Sequence, residues 1–110
     1  KEGLVGIFTQ RPEMDALLAL ACTSAGRCNV SLAPQSPRTS DLETILFDAT
    51  DLNAQELSQM ERLKAANPGA ELLLLLDFPR IETCNRARRA GASQIFSKPF
   101  AVHEVAKWIA

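Results

Sequence analysis

Glu71-Leu72-Leu73-Leu74-Leu75-Leu76-Asp77 sets five consecutive leucines between two carboxylates. A strand with one wet face alternates apolar and polar side chains, whereas a strand covered on both faces is apolar throughout. The run therefore reads as a central strand of a parallel sheet, with helices above and below it. Parallel neighbours are joined by crossovers, so helices are expected on either side of it in the chain. Upstream, Asn67-Pro68-Gly69 stops a helix whose inner face is Leu57, Met60 and Leu63. Asn53, with Glu56 three residues on, has the form of a capping box at its start. Downstream, Asp77-Phe78-Pro79 ends the strand, and Arg80 to Ala90 reads as a helix with Ile81, Cys84 and Ala87 on one side. Gly91 stands where a left-handed C-cap belongs.

The same alternation extends to both ends. Thr44 to Phe47 is an apolar strand that stops at Asp48, with Ala49 to Leu52 as its connecting loop. Pro34 and Pro37 make Ala33 to Ser40 a loop with room for one helical turn at most. Cys28, Val30 and Leu32 alternate with Asn29 and Ser31, the pattern of a less covered strand near a sheet edge. Leu4 to Phe8 forms the first strand. Pro12 opens the first helix, Glu13 and Asp15 complement its positive end, and Met14, Leu17, Leu18 and Ala21 make its apolar stripe as far as Ala25-Gly26. Ile95-Phe96 is the last strand, and Val102, Val105 and Ile109 mark the inner face of a terminal helix that also carries Trp108.

Composition bounds the possibilities. The chain has 110 residues, 46% of them hydrophobic, enough for one domain with one core. Twelve basic against 13 acidic side chains leave a net charge of -1, without the broad positive field that nucleic acid or an acidic membrane surface requires. No apolar run approaches the roughly 20 residues that span a bilayer. Lys1-Glu2-Gly3 opens no signal peptide. A cytoplasmic domain is expected. Cys22, Cys28 and Cys84 are odd in number and lack metal-ligand spacing, so they are expected as small buried hydrophobes in a reducing compartment.

In a parallel α/β sheet the ligand crevice lies at the C-terminal strand ends. Thr9, Gln10, Asp48, Asp77 and Lys98 all fall at such ends and are expected to converge on one edge. On charge alone, Asp48 and Lys98 there can be a residual ion pair that caps the sheet. His103 has no second histidine or carboxylate motif beside it and reads as a solvated surface residue.

The order of these residues resembles the receiver domain of two-component response regulators. The most specific likeness is Ala90-Gly91-Ala92, a short strand, then Lys98-Pro99-Phe100 and an amphipathic helix. The resemblance implies a flavodoxin-like three-layer sandwich with five parallel strands in the order 2-1-3-4-5. It also implies that Asp48 stands at the phosphate-accepting position, that Lys98 is the family's lysine, and that Phe8 to Met14 is the stretch carrying the acidic pair. Here the acidic-pair positions hold Thr9 and Gln10, poor ligands for Mg²⁺. Leu76 stands in place of the switch hydroxyl and Ile95 in place of the switch aromatic. The second helix is expected to be short or missing. Asp77 and Asp51 are the nearby spare acids, but Asp77 stands one residue past the hydroxyl position, where strand alternation can aim it away from the crevice.

The pattern implies a degenerate member, a pseudo-receiver spanning residues 1–110 and excised from a longer signalling protein, with Asp48 and Lys98 vestigial and no metal or cofactor. Its expected function is that of a phosphorylation-independent protein-interaction and regulatory domain in a bacterial-type two-component phosphorelay, within a hybrid histidine kinase, a response regulator or a transcription regulator. The domain itself is expected to be non-catalytic, even where the parent chain is a histidine kinase. By resemblance the interaction face is Arg86, Arg89, Ile95, Phe96, Val102 and Trp108, meeting another protein, another domain of the same chain, or a second copy through the last helix and strand. Trp108 can equally close the edge of the core, and the Arg80 to Arg89 cluster can be a solvated face. Two other readings stand beside this one: a working receiver phosphorylated on Asp48 by a histidine kinase through an atypical Mg²⁺ site, and a small-ligand or nucleotide sensor near Lys98 and Arg80.

Overall fold

Leu72 to Leu76 are fully buried, and they divide between two cores. Leu72, Leu74 and Leu76 enter one face of the sheet, Leu73 and Leu75 the other. That division is the period-two geometry of a strand sandwiched between helical layers. The computed structural model describes residues 3–32 and 41–110.

The order is β1 (Leu4–Phe8), α1 (Pro12–Ser24), β2 (Asn29–Leu32), β3 (Leu42–Asp48), α2 (Ala54–Ala66), β4 (Glu71–Asp77), α3 (Ile81–Arg89), β5 (Gln94–Lys98) and α4 (Val102–Ile109). All strand pairings are parallel, in the order β2-β1-β3-β4-β5. Leu18, Ala21, Cys22, Val105 and Ile109 bring α1 and α4 onto the face of Val5, Ile7, Leu46, Leu73 and Leu75. Met60, Leu63 and Ala87 bring α2 and α3 onto the face of Ile45, Phe47, Leu72, Leu74 and Leu76. On that second face Phe8 and Phe47 stack, with ring centroids 4.7 Å apart.

The capping box of α2 is formed on both sides: Asn53 Oδ1 accepts from the Glu56 N–H at 2.9 Å, and Glu56 Oε1 accepts from the Asn53 N–H at 3.2 Å. Gly91 has φ +117°, the left-handed region expected of it. The α1 stripe is corrected. Met14, Leu18, Ala21 and Cys22 are buried while Leu17 is 42% exposed. The helix is apolar almost all round from Leu17 to Cys22, so spacing alone does not select the face that meets the sheet. The cysteines are corrected too: Cys22 is buried, but Cys28 is exposed and Cys84 half-buried. Cys28 just precedes the edge strand, where only one side is covered. For α3, Ala87 is buried, Cys84 half-buried, and Ile81 faces solvent. The expectation of a loop over Ala33 to Ser40 in place of a full helix lies outside the described residues. Among those described, no helix is long and apolar enough to cross a membrane.

Arg27, which no sequence pattern singles out, is buried beside both ends of the described chain. Its guanidinium donates to the carbonyls of Gly3 (3.1 Å) and Ile109, to Glu43 (2.9 Å) and to the Thr44 hydroxyl (3.3 Å). One cation thereby links the approach to β1, the strand β3 and the end of α4.

Candidate functional site

The parallel strands end on the same edge of the sheet, and residues at or just past the ends of β1, β3, β4 and β5 build one polar cluster. Asp48 closes β3, the central strand of the sheet, and its side chain is only 4% exposed. Thr9, just past β1, donates its hydroxyl to Asp48 Oδ2 at 2.6 Å. Lys98, the last residue of β5, reaches across β4 to place Nζ 2.6 Å from Asp48 Oδ1, and donates also to the Ala49 carbonyl at 2.6 Å. Asp77, at the end of β4, lies 3.1 Å from the same ammonium. Asp77 is therefore aimed into the cluster, because the long lysine stem carries the charge to it, and the expectation that strand alternation turns it away is corrected.

The residue that sequence reasoning missed is Arg11. Its Nη2 lies 3.0 Å from Asp48 Oδ1 and 3.1 Å from Oδ2, and its Nε lies 3.3 Å from Oδ2. The Arg11 N–H donates to Thr9 Oγ1 at 3.1 Å, which fixes the β1–α1 turn that delivers the guanidinium. The available signal was a cation directly after two neutral residues in a stretch where the resemblance implies carboxylates. Gln10 is exposed and Asp51 is an exposed loop residue bonded to Thr50, so neither joins the cluster.

Electrostatics follow from this crowding. Burial pushes the Asp48 carboxyl upward, but hydrogen bonds from Lys98, Thr9 and Arg11 outweigh it and hold the group below its ordinary value. Arg11 is raised by its hydrogen bond to Asp48, against a smaller cost of burial. Asp48 thus remains an anion, and both of its oxygens are engaged. A carboxylate offers about four lone-pair sites, and here a hydroxyl, an ammonium and a guanidinium take them.

That donor set does not fit Mg²⁺. The ion needs anionic oxygens in octahedral array, whereas the Thr9 hydroxyl is committed as a donor, Gln10 lies outside, and the Arg11 guanidinium covers the carboxylate. Among the described residues, no group of three or more His, Cys, Asp or Glu is placed to hold a metal ion.

The six residues of the expected interaction face lie around the β5 edge, on both sides of the sheet. Ile95 packs with the α2/α3 core, while Phe96, Val102 and Trp108 pack with the α1/α4 core. Arg89 is exposed, and Arg86 donates to the Leu52 carbonyl at 3.0 Å.

No protein-family model matches the sequence, and no curated protein matches it either. Solved structures match closely in shape. A response regulator from Thermotoga maritima superposes with a TM-score of 0.82 at 13% identity, over 99% of this chain and 95% of that one. The CheY-like protein tadZ from Pseudomonas aeruginosa gives 0.79 at 19% identity, over 98% and 97%. A protein from Burkholderia thailandensis described by pilus assembly, cpaE, gives 0.81 at 19%, over 96% and 93%. The five parallel strands in the order 2-1-3-4-5 are thus the CheY-like, flavodoxin-type fold.

Proposed function

We propose that this domain is a receiver-fold interaction module that regulates without being phosphorylated, housed in a bacterial-type two-component signalling protein. The observation that carries this reading is the engaged carboxylate of Asp48, whose oxygens are covered by Thr9, Arg11 and Lys98. A phosphate acceptor must present a free oxygen to phosphorus, and metal ions normally neutralise the charge that develops. In this domain the neutralising charge is already supplied by two side chains, and Arg11 covers the carboxylate that would attack. Its partner is another protein or another domain of the same chain, met around the edge formed by β5, α3 and α4.

The test is incubation with a small-molecule phosphodonor and Mg²⁺, followed by intact mass measurement. No covalent phosphate is expected. A phosphate on Asp48 that disappears in Asp48→Asn would overturn the reading. The Burkholderia thailandensis neighbour favours a second reading of the parent chain, since there the same fold belongs to a protein described by pilus assembly. On that reading the domain recruits partners within an assembly protein, and a fold can be shared without a shared activity.

A further inference from the structure

Three independent features meet in the segment from Phe78 to Arg89. The first is apolar exposure. Phe78 is 88% exposed and Ile81 79% exposed, the two largest exposures of bulky apolar side chains among the described residues. The second is backbone conformation. Phe78 has φ +45°, a left-handed value found among the described non-glycine residues also at Asp41 and Leu52, and unfavourable for a bulky side chain. The ring is therefore held in water by a backbone conformation that is itself unfavourable.

The third is charge. Arg80, Arg86, Arg88 and Arg89 stand against one acid, Glu82, giving the segment +3 in a chain of net charge -1, so the remainder carries -4. Four cations elsewhere in the described residues are engaged, Arg11 and Lys98 on Asp48, Arg27 on Glu43 and Lys64 on backbone carbonyls, while the exposed Arg62 and Lys107 stand singly rather than in a cluster. Arg80, Arg88 and Arg89 pair with no carboxylate among the described residues. In α3, only Ala87 is fully buried, while Ile81, Asn85 and Arg88 recur at helical spacing on its outer side and are exposed.

We infer that Phe78, Ile81 and the outer face of α3 form a docking surface for an acidic protein segment that carries an apolar anchor. Exposed aromatic and aliphatic residues on the same segment as several arginines share the composition of an interface centre. The surplus positive charge selects an acidic partner by complementarity and speeds its encounter. Nucleic acid is disfavoured by the -4 carried on the remainder of the domain, which would repel a polyphosphate that reached beyond this one helix. The inference rests on the interaction-module reading and names the partner's chemistry.

The experiment is selection of the whole domain against a random-peptide display library, with affinities of the enriched peptides then measured on variants. Enriched peptides are expected to be rich in Asp and Glu around one or two bulky apolar residues. Their binding should weaken about tenfold in Phe78→Ser/Ile81→Ser and in Arg88→Glu/Arg89→Glu, and fall with added salt. Unchanged melting temperatures of these surface variants would show that the loss is local. Peptides without acidic residues, no enrichment, or binding indifferent to both variants would overturn the inference. So would a concentration-dependent dimer abolished by Arg88→Glu/Arg89→Glu, since a second copy would then be the occupant. Phosphate found on Asp48 would defeat the parent reading through a different measurement and leave the peptide result to be judged separately.

Discussion

Asp48 is nearly out of contact with water yet accepts hydrogen bonds from Thr9, Arg11 and Lys98. The two influences oppose each other, and the hydrogen bonds win, so the folded-state value lies below the ordinary 3.8. A group depressed by folding contributes stability above its unfolded value and loses it as pH falls through the folded one. Removing the anion leaves the buried Lys98 with only Asp77 and the Ala49 carbonyl, while the half-exposed Arg11 can turn to water, so a loss of about 1–2 kcal/mol at neutral pH is expected in Asp48→Asn. The gap in melting temperature between wild type and Asp48→Asn should hold from neutral pH down to about pH 4 and narrow below it. No gap at pH 7, or one that persists undiminished into acid, would contradict the geometry. The cysteines give a second check at this scale. Burial pushes the Cys22 thiol up to about 11, and the nearby Arg27 charge offsets this only in part. Cys28 is exposed. A disulfide reagent at pH 8 should therefore modify Cys28 rapidly and Cys22 only after unfolding, because the thiolate is the reactive form. Mass mapping of the labelled peptides decides it.

At the scale of elements, the β4–α3 junction holds the least comfortable backbone on an exposed residue, Phe78 at φ +45°. Glycine occupies that region without a Cβ penalty. Phe78→Gly is expected to raise stability by about 1 kcal/mol, which in a domain of this size lifts the melting temperature by roughly 4–8 °C. A fall in melting temperature would mean that the ring packs better than its exposure indicates. The elements themselves were largely legible in the sequence. Five leucines without alternation identify β4, the Asn53–Glu56 pair marks the start of α2, and Gly91 marks the end of α3, because each rests on a local rule of burial or capping. The α1 face was not legible, since Leu17, Leu20 and Cys22 are all apolar and only the sheet selects among them. Convergence of Thr9, Asp48, Asp77 and Lys98 followed from strand-end topology. The part played by Arg11 did not follow, because a guanidinium's reach depends on a turn whose direction no periodicity encodes.

Across the whole molecule, Arg27 is the side chain whose loss should be felt farthest. It sits 5% exposed and gathers the Gly3 and Ile109 carbonyls, Glu43 and the Thr44 hydroxyl, points drawn from both ends of the described chain and from an inner strand. The last carbonyls of a helix have no partner within it, so the guanidinium also completes the end of α4. Substitution by Met keeps much of the stem volume but leaves these acceptors without their donor, each buried acceptor costing about 1–3 kcal/mol. A total loss of about 3 kcal/mol is expected for Arg27→Met, or a fall of the order of 10 °C or more in melting temperature. Arg27→Lys should recover only part of it, because one ammonium cannot span the carbonyls that a planar fork reaches. Hydrogen exchange locates the effect: amides of β1 and of the last turn of α4 should exchange faster in Arg27→Met, while those of β4 slow or quicken only with global stability. If both ends of the described chain kept their protection, apolar packing alone would hold them, and the buried cation would be a passenger in the core.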